Sequence, residues 1–455
     1  MRYFPRFALS WVLLISAIPV PQVQAQGDEY QIFTDSPRLL LPANRLRLLQ
    51  RERERKSARW LQFDTLVTGG APMPEPGFAY CLYYRVSGQA AWAKQALDWA
   101  LSDKATPQQP ETLRQLALVY DWCGQAATED QMNRLSQKIR LGITGASATD
   151  VKTQSARALA VIAVADEFPD HGESLLKPMV EKWWRQDIIT KIKAGQPAIA
   201  REHTYALLEF LHAIRDNLKI DLRQDASDFF KGLPTDHLVS HYPAPVLTPD
   251  NEYRIPVYVR NGEPSVADAV LSRAAEFAMV AYDSNAAENQ FLQGWLMQNR
   301  FLMRGALGAV YEFLWANPYQ PGLSYFQVPL VYHDGTTGHL FARTSWDEDA
   351  SWLGYFNGTL QIFRDGSLQT LRQGVVADPV RVGDALILTG TNPQAGRFRA
   401  DAPSVFITGL ARKAVYDVEI DDQELSEEST DVGGTMVLQF PEGLTADVRI
   451  KRRAE

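Results

Sequence analysis

Apolar side chains recur at three- and four-residue spacing from Leu46 to Trp315, and at alternate positions after that. The change happens once, near Asn317–Gly322. The first pattern marks amphipathic helices and the second marks half-buried strands. A helical run followed by a strand run means two packed units, not one mixed sheet. Helices are predicted over Arg45–Leu66, Phe78–Val86, Ala90–Leu101, Pro110–Asp121, Glu129–Leu141, Ser155–Asp166, Gly172–Trp184, Arg201–Leu218, Val266–Ala281 and Asn289–Trp315. Strands are predicted over Tyr325–Tyr332, His339–Ser345, Ser351–Phe356, Thr359–Phe363, Val405–Gly409, Ala414–Ile420 and Met436–Phe440. The run Arg51–Lys56 reads as the solvated face of one long first helix. Helices of similar length joined by short loops either close into an α/α toroid or stack as a solenoid. One stretch breaks the series. Gly232–Pro264 holds Pro234, Pro243, Pro245, Pro249, Pro256 and Pro264 and reads as a long loop, of the kind that forms a lid or cleft wall.

Residues 1–25 read as an export signal, with Arg2 and Arg6, the apolar stretch Ala8–Ile18 and the small-residue site Val23-Gln24-Ala25. Cleavage after Ala25 would leave a helical unit over 26–318 and a β unit over 319–455, in a periplasmic or extracellular protein. No later apolar run is long enough for a spanning helix, so no membrane span is expected after cleavage. The net charge of −8 argues against nucleic acid as a partner, but a basic cleft on an acidic surface can still take an acidic polysaccharide. Cys81 and Cys123 are the only cysteines, which excludes a disulfide framework and leaves open whether they pair.

Three groups of residues resemble one family. Ser36-Pro37-Arg38-Leu39-Leu40-Leu41 and Val119-Tyr120-Asp121-Trp122 with Thr128-Glu129-Asp130-Gln131 look like the toroid of the heparinase II/III-like family. Gly338-His339-Leu340-Phe341-Ala342-Arg343-Thr344-Ser345-Trp346-Asp347 is similar to the strand segment that opens its β-sandwich. Tyr416–Asp421 and Gly433–Leu438 look like its closing strands. The resemblance implies an N-terminal α/α toroid followed by an antiparallel β-sandwich, and the single switch in periodicity predicts that the two pack edge-on, the sandwich beginning near Tyr325. It also implies an activity, β-elimination on uronate-containing polysaccharide. That reaction needs a group to neutralise the carboxylate, a base for the C5 proton and an acid for the leaving oxygen. Two readings compete with it: a non-catalytic polysaccharide-binding relative, and a toroid glycoside hydrolase with paired carboxylates.

Candidate chemistry is densest on the helix that opens Arg201-Glu202-His203-Thr204-Tyr205. Helical spacing puts Glu202, Tyr205, Glu209, His212 and Asp216 on one stripe, which either lines a cleft or faces water. Tyr205 resembles the family's toroid tyrosine and is the expected proton-transfer group, its acidity raised by Arg201, with His203 beside it. Arg201 and Glu202 would bind substrate. Where active members carry an Asn–His pair, this chain reads Lys152-Thr153-Gln154-Ser155, and Gln154 alone can meet a carboxylate. His241 and Tyr242 on the long loop, and Arg300 on the last helix, complete the candidate set. Trp183, Trp184 and Trp295 read as core more readily than as sugar platforms. His333, Asp334 and His339 match no closed ligand set, so no metal and no cofactor are expected.

Overall fold

The computed structural model describes residues 29–145, 148–245, 266–298, 305–372, 378–389, 392 and 394–453. The proposed export signal, Arg300 and most of the proline-rich stretch lie outside them.

The helical half comprises α1 (Ala43–Glu54), α2 (Ala58–Thr68), α3 (Pro76–Ser87), α4 (Ala90–Leu101), α5 (Pro110–Cys123), α6 (Glu129–Gly145) and α7 (Val151–Ala163). It continues with α8 (Ile189–Lys193), α9 (Thr204–Leu218), α10 (Ser227–Val239), α11 (Val266–Tyr282), α12 (Ala287–Gln298) and α13 (Gly305–Trp315). A π-helical stretch, Met179–Ile188, leads into α8. Helices α3, α5, α7, α9, α11 and α13 pack in succession, and α2 bridges α13 back to α3. The inner helices therefore form a closed ring, with α4, α6, α10 and α12 outside it. This is an α/α toroid and not a solenoid.

Local chemistry explains several boundaries. Thr128 and Gln131 exchange bonds across the start of α6, Oε1 of Gln131 accepting from the Thr128 N–H at 2.9 Å and Oγ1 of Thr128 from the Gln131 N–H at 3.2 Å. This is a capping box, which satisfies amides that the helix start leaves orphaned. The predicted helix Arg45–Leu66 is in fact two. Lys56 takes a left-handed φ of 50°, and Ser57 caps α2 by accepting from the Trp60 N–H. Nor is the charged run wholly solvated, because Glu52 is buried and pairs with Arg59 at 3.0 Å. The predicted loop also starts too early: α10 runs through Pro234 to Val239. Two segments on which the family resemblance rests are bonded to each other. The buried Asp121 carboxylate accepts from the N–H groups of Arg38 (3.0 Å) and Leu39 (2.9 Å), and Trp122 Nε1 donates to the Leu39 carbonyl. Cys81 and Cys123 are buried free thiols on the adjacent helices α3 and α5.

The β half has thirteen strands among the described residues, β1 (Val331–Asp334), β2 (His339–Arg343), β3 (Trp352–Phe356), β4 (Thr359–Arg364), β5 (Ser367–Arg372), β6 (Val380–Val382) and β7 (Ala385–Leu388) being the first seven. Then come β8 (Ala395–Ala400), β9 (Ser404–Ile407), β10 (Val415–Ile420), β11 (Glu424–Ser429), β12 (Met436–Gln439) and β13 (Ala446–Arg452). They form three sheets, ordered β1-β2-β3-β4-β5, β12-β9-β7-β6 and β11-β10-β13-β8. Pairing is antiparallel except between β7 and β9. The middle sheet packs on both others. Ile387 and Phe406 meet Leu340 and Leu353 on one side, while Leu386 and Val405 meet Val418 and Ile450 on the other.

The first sheet is buried on both faces, which is why all five residues of β3 are inside. Alternation sends Leu353 and Tyr355 towards the middle sheet and leaves Trp352 and Phe356, with Phe341 and Phe363, in the core of the toroid. The two halves therefore meet through a sheet face, not edge-on. Arg343 reinforces this junction, its Nη2 donating to the carbonyls of Val239 (3.2 Å) and His241 (2.6 Å), as does Trp352 Nε1, which donates to Val239 (2.9 Å). These bonds occupy the carbonyls that the end of α10 leaves open.

Candidate active site

The end of α10, the turn before α9 and the first sheet enclose a cleft of about 300 Å³. That is the lower end of the size range of small-ligand sites, about 300–1,000 Å³. Arg201, Glu202, Asp236, His237, His339 and Asn357 are among its lining residues. The polar contributions come from both halves of the molecule, so the site exists only once they are docked.

Two histidines in this cleft have opposite surroundings. Asp236 Oδ1 holds His339 Nδ1 at 2.8 Å, across the junction of α10 and β2. Burial alone would lower the His339 pKa, but the Asp236 charge and hydrogen bond outweigh it and raise it, while Asp236 is held below its ordinary range. The bond to Nδ1 fixes the ring and leaves Nε2 as the nitrogen not engaged by Asp236. His237 is buried beside Arg201, and burial followed by the guanidinium charge lowers its pKa. Its Nδ1 lies 3.5 Å from Glu276 Oε1.

Glu276 on α11 organises the floor of the cleft. It is fully buried, and its Oε1 lies 2.8 Å from His241 Nε2 and 3.4 Å from Arg201 Nη2. Burial would raise its pKa, yet His241, His237 and Arg273 keep the carboxyl ionised. His241 is pushed down to about 4 by burial, so it donates to this carboxylate as a neutral imidazole. Arg201 is held by Ser272 Oγ at 3.0 Å, by Ser240 Oγ and by the His237 carbonyl at 3.3 Å. Its charge is therefore fixed at the cleft wall.

The expected stripe is divided: Glu202 at its start reaches this cleft and Asp216 at its end is half-buried, but the middle faces neither cleft nor bulk water. Tyr205, Glu209 and His212 are buried in the ring. Glu209 takes a bidentate bond from Arg114 Nε and Nη2, with its shortest contacts at 2.7 Å, and accepts from Tyr205 Oη at 2.6 Å. Trp315 Nε1 donates to the same Tyr205 oxygen at 2.9 Å. Burial, then the Glu209 charge, push the Tyr205 pKa well above its ordinary value. Arg201 was expected to make this phenol acidic, but it is engaged elsewhere. The cavity beside Tyr205 is about 60 Å³, room for a few waters but not for a sugar ring.

The other candidates are dispersed. Arg201 and Glu202 line the cleft, and Glu202 also borders the small ring cavity. His203 lies in the turn before α9 but is not among the residues lining the cleft. Gln154 donates to the Ala148 carbonyl at 2.7 Å and faces a separate surface hollow beside Trp183. Tyr242 stacks on Phe363 and donates to Gln361 Oε1 at 3.0 Å, so it ties the chain down onto the sheet. Trp183, Trp184 and Trp295 are core. Among the described residues no group of three or more His, Cys, Asp or Glu side chains converges as a metal site. No helix among them is long and apolar enough to cross a membrane. Asp236, His237 and His339 were visible in the sequence, but nothing in it joined residues about a hundred positions apart. Only the DH pair Asp236-His237 and the strand-opening His339 were available as a signal.

Compared with known proteins, the chain matches no family profile, and no curated protein matches it. Among solved structures it is similar to one described as a glycoside hydrolase, with a TM-score of 0.34 and 9% identity over 93% of this chain and 77% of that one. A likeness at that level says nothing of activity.

Proposed function

We propose that the cleft binds a uronate-containing polysaccharide and cleaves it by β-elimination, with His237 as base and His339 as acid. What supports this reading is one pair of imidazoles whose pKa values are pushed apart within a single cleft, the arrangement that separates acid from base roles. Neutral His237 takes the C5 proton. Arg201 offsets the charge that gathers on the uronate carboxylate as that proton leaves. The electron pair forms the C4–C5 double bond and expels the glycosidic oxygen, which is protonated by imidazolium His339, held by Asp236. Tyr205 is not given the proton transfer, because its hydroxyl is committed to Glu209, Trp315 and Arg114. Export to the periplasm or exterior is part of the proposal, since such polymers are extracellular substrates. N-terminal sequencing of protein from its native host tests it, with Gln26 as the expected first residue.

The activity test is incubation with a panel of uronate polysaccharides, following the ultraviolet absorbance of the unsaturated product. His237→Ala and His339→Gln should each reduce the rate by about 10²–10⁴-fold. The pH profile should be bell-shaped. Its acid limb should lie below the ordinary histidine value of about 6.5, where His237 becomes protonated, and its alkaline limb above it, where His339 loses its proton. Reducing ends released without the absorbance would mean hydrolysis, and binding without either would mean a non-catalytic receptor.

A further inference from the structure

The C-terminal ends of α11 and α13 meet α1 around a cavity of about 550 Å³. Arg45, Arg47 and Arg51 all line it, and no Asp or Glu does. In a chain with 54 acidic residues against 46 Lys and Arg, three arginines converging without a carboxylate is an unusual local balance.

The surroundings of each arginine sharpen this. The Arg45 guanidinium lies 4.4 Å over the Trp315 ring and donates from Nη1 to the carbonyls of Leu314 (3.2 Å) and Trp315 (3.5 Å). Its Nε is buried and has no hydrogen-bond partner. Burial lowers the Arg45 pKa to about 10, with Asp216 the chief charge opposing that. Arg47 and Arg51 are exposed and one turn apart on α1, so they repel each other. The carbonyls at the end of α13 would disfavour an anion, but Arg45 covers them. Asn44, Asn317 and Gln320 add neutral polar groups to the lining.

We propose that this cavity is a second binding site, for a small oxyanion, phosphate or sulfate, free or as the ester of a sugar, held by Arg45, Arg47 and Arg51. Guanidinium forks match the spacing of such oxygens and bind them in pairs. An anion there would remove the repulsion on α1 and add to the opposing charge that Asp216 already sets against Arg45. The site shares no lining residue with the His237–His339 cleft and does not depend on that cleft's activity.

Isothermal titration of the full-length protein, in chloride buffer at constant ionic strength, tests this. The probes are inorganic phosphate, inorganic sulfate and a monosaccharide 6-sulfate. Saturable binding of at least one is expected, weakened by about tenfold or more in the Arg47→Gln/Arg51→Gln double variant. Tighter binding of the sugar ester identifies a modified saccharide as the source, and equal or tighter binding of the inorganic ion identifies the free anion. The substituted side chains are exposed, so the fold should survive, and Arg51→Glu alone repeats the test with the same expected loss. Absence of saturable binding by the parent with all three probes, or undiminished affinity in the variants, overturns the proposal.

Discussion

The roles available to a side chain here are set by what surrounds it more than by its type. Tyr205 reads from the sequence as the proton-transfer group, and His339 only as one of a few scattered ligand-type side chains. Tyr205 lies in the ring, where its hydroxyl has three partners, and burial with Glu209 makes its proton harder to lose. His339 lies at a cleft wall with one nitrogen held by Asp236. The Tyr205→Phe variant separates the two accounts. It leaves Glu209 and Trp315 each short of a partner, so it should cost about 1–3 kcal/mol of stability while leaving turnover within a few-fold of the parent. Chemical denaturation and a rate assay on the same preparation check this, and loss of turnover at full stability would return the proton transfer to Tyr205.

Elements end where the local chemistry lets them, and most of these ends are readable. The capping box at Thr128–Gln131 is of this kind, and so is Asn357-Gly358, whose two left-handed residues turn β3 into β4. Some ends were not readable, because unfavoured residues hold special conformations under tertiary constraint. Lys56 breaks the first predicted helix with a positive φ, and Lys219 closes α9 at φ 63°. Glycine is the residue usually found at that closing position, since it has no Cβ to strain. Lys219→Gly should therefore raise stability by about 0.5–1 kcal/mol, with strain relief outweighing the added flexibility of the unfolded chain. A shift of the denaturation midpoint without a change of slope would confirm it, whereas destabilisation would show that the Lys219 contact to the Asp216 carbonyl matters more.

At the scale of the whole molecule, the Asp236–His339 pair joins the ring to the first sheet and builds the cleft in the same contact. Its pH dependence follows from the two shifts. The raised His339 pKa gives stability that is fully present below its ordinary value of about 6.5 and is lost as pH rises through the raised value. The depressed Asp236 pKa gives stability present above about 3.9 and lost as pH falls through the depressed value. The pair should thus contribute most near pH 5–6, where Asp236→Asn should cost about 3 kcal/mol. That deficit should shrink towards both sides in denaturation curves measured across pH, and a constant deficit would mean that the aspartate acts through packing alone.

Periodicity alone determined the order of the two halves and their boundary near Asn317–Gly322, because burying one face of a helix or strand leaves a repeat that needs no partner to be seen. It also determined most helices, whereas the motif residues that bind Asp121 to Arg38 and Leu39 were picked out by the resemblance and not by any repeat. The short strand β7, buried on both faces, shows no alternation and was missed for that reason. Ring closure, the face-on docking of the first sheet and the fate of the α9 stripe were decided by tertiary structure. A polar stripe reads the same whether it meets water or, as here, Arg114 from a neighbouring helix. The cleft is the clearest case: Asp236 and His339 are separated by 103 positions and meet only because Arg343 and Trp352 dock the end of α10 onto the sheet.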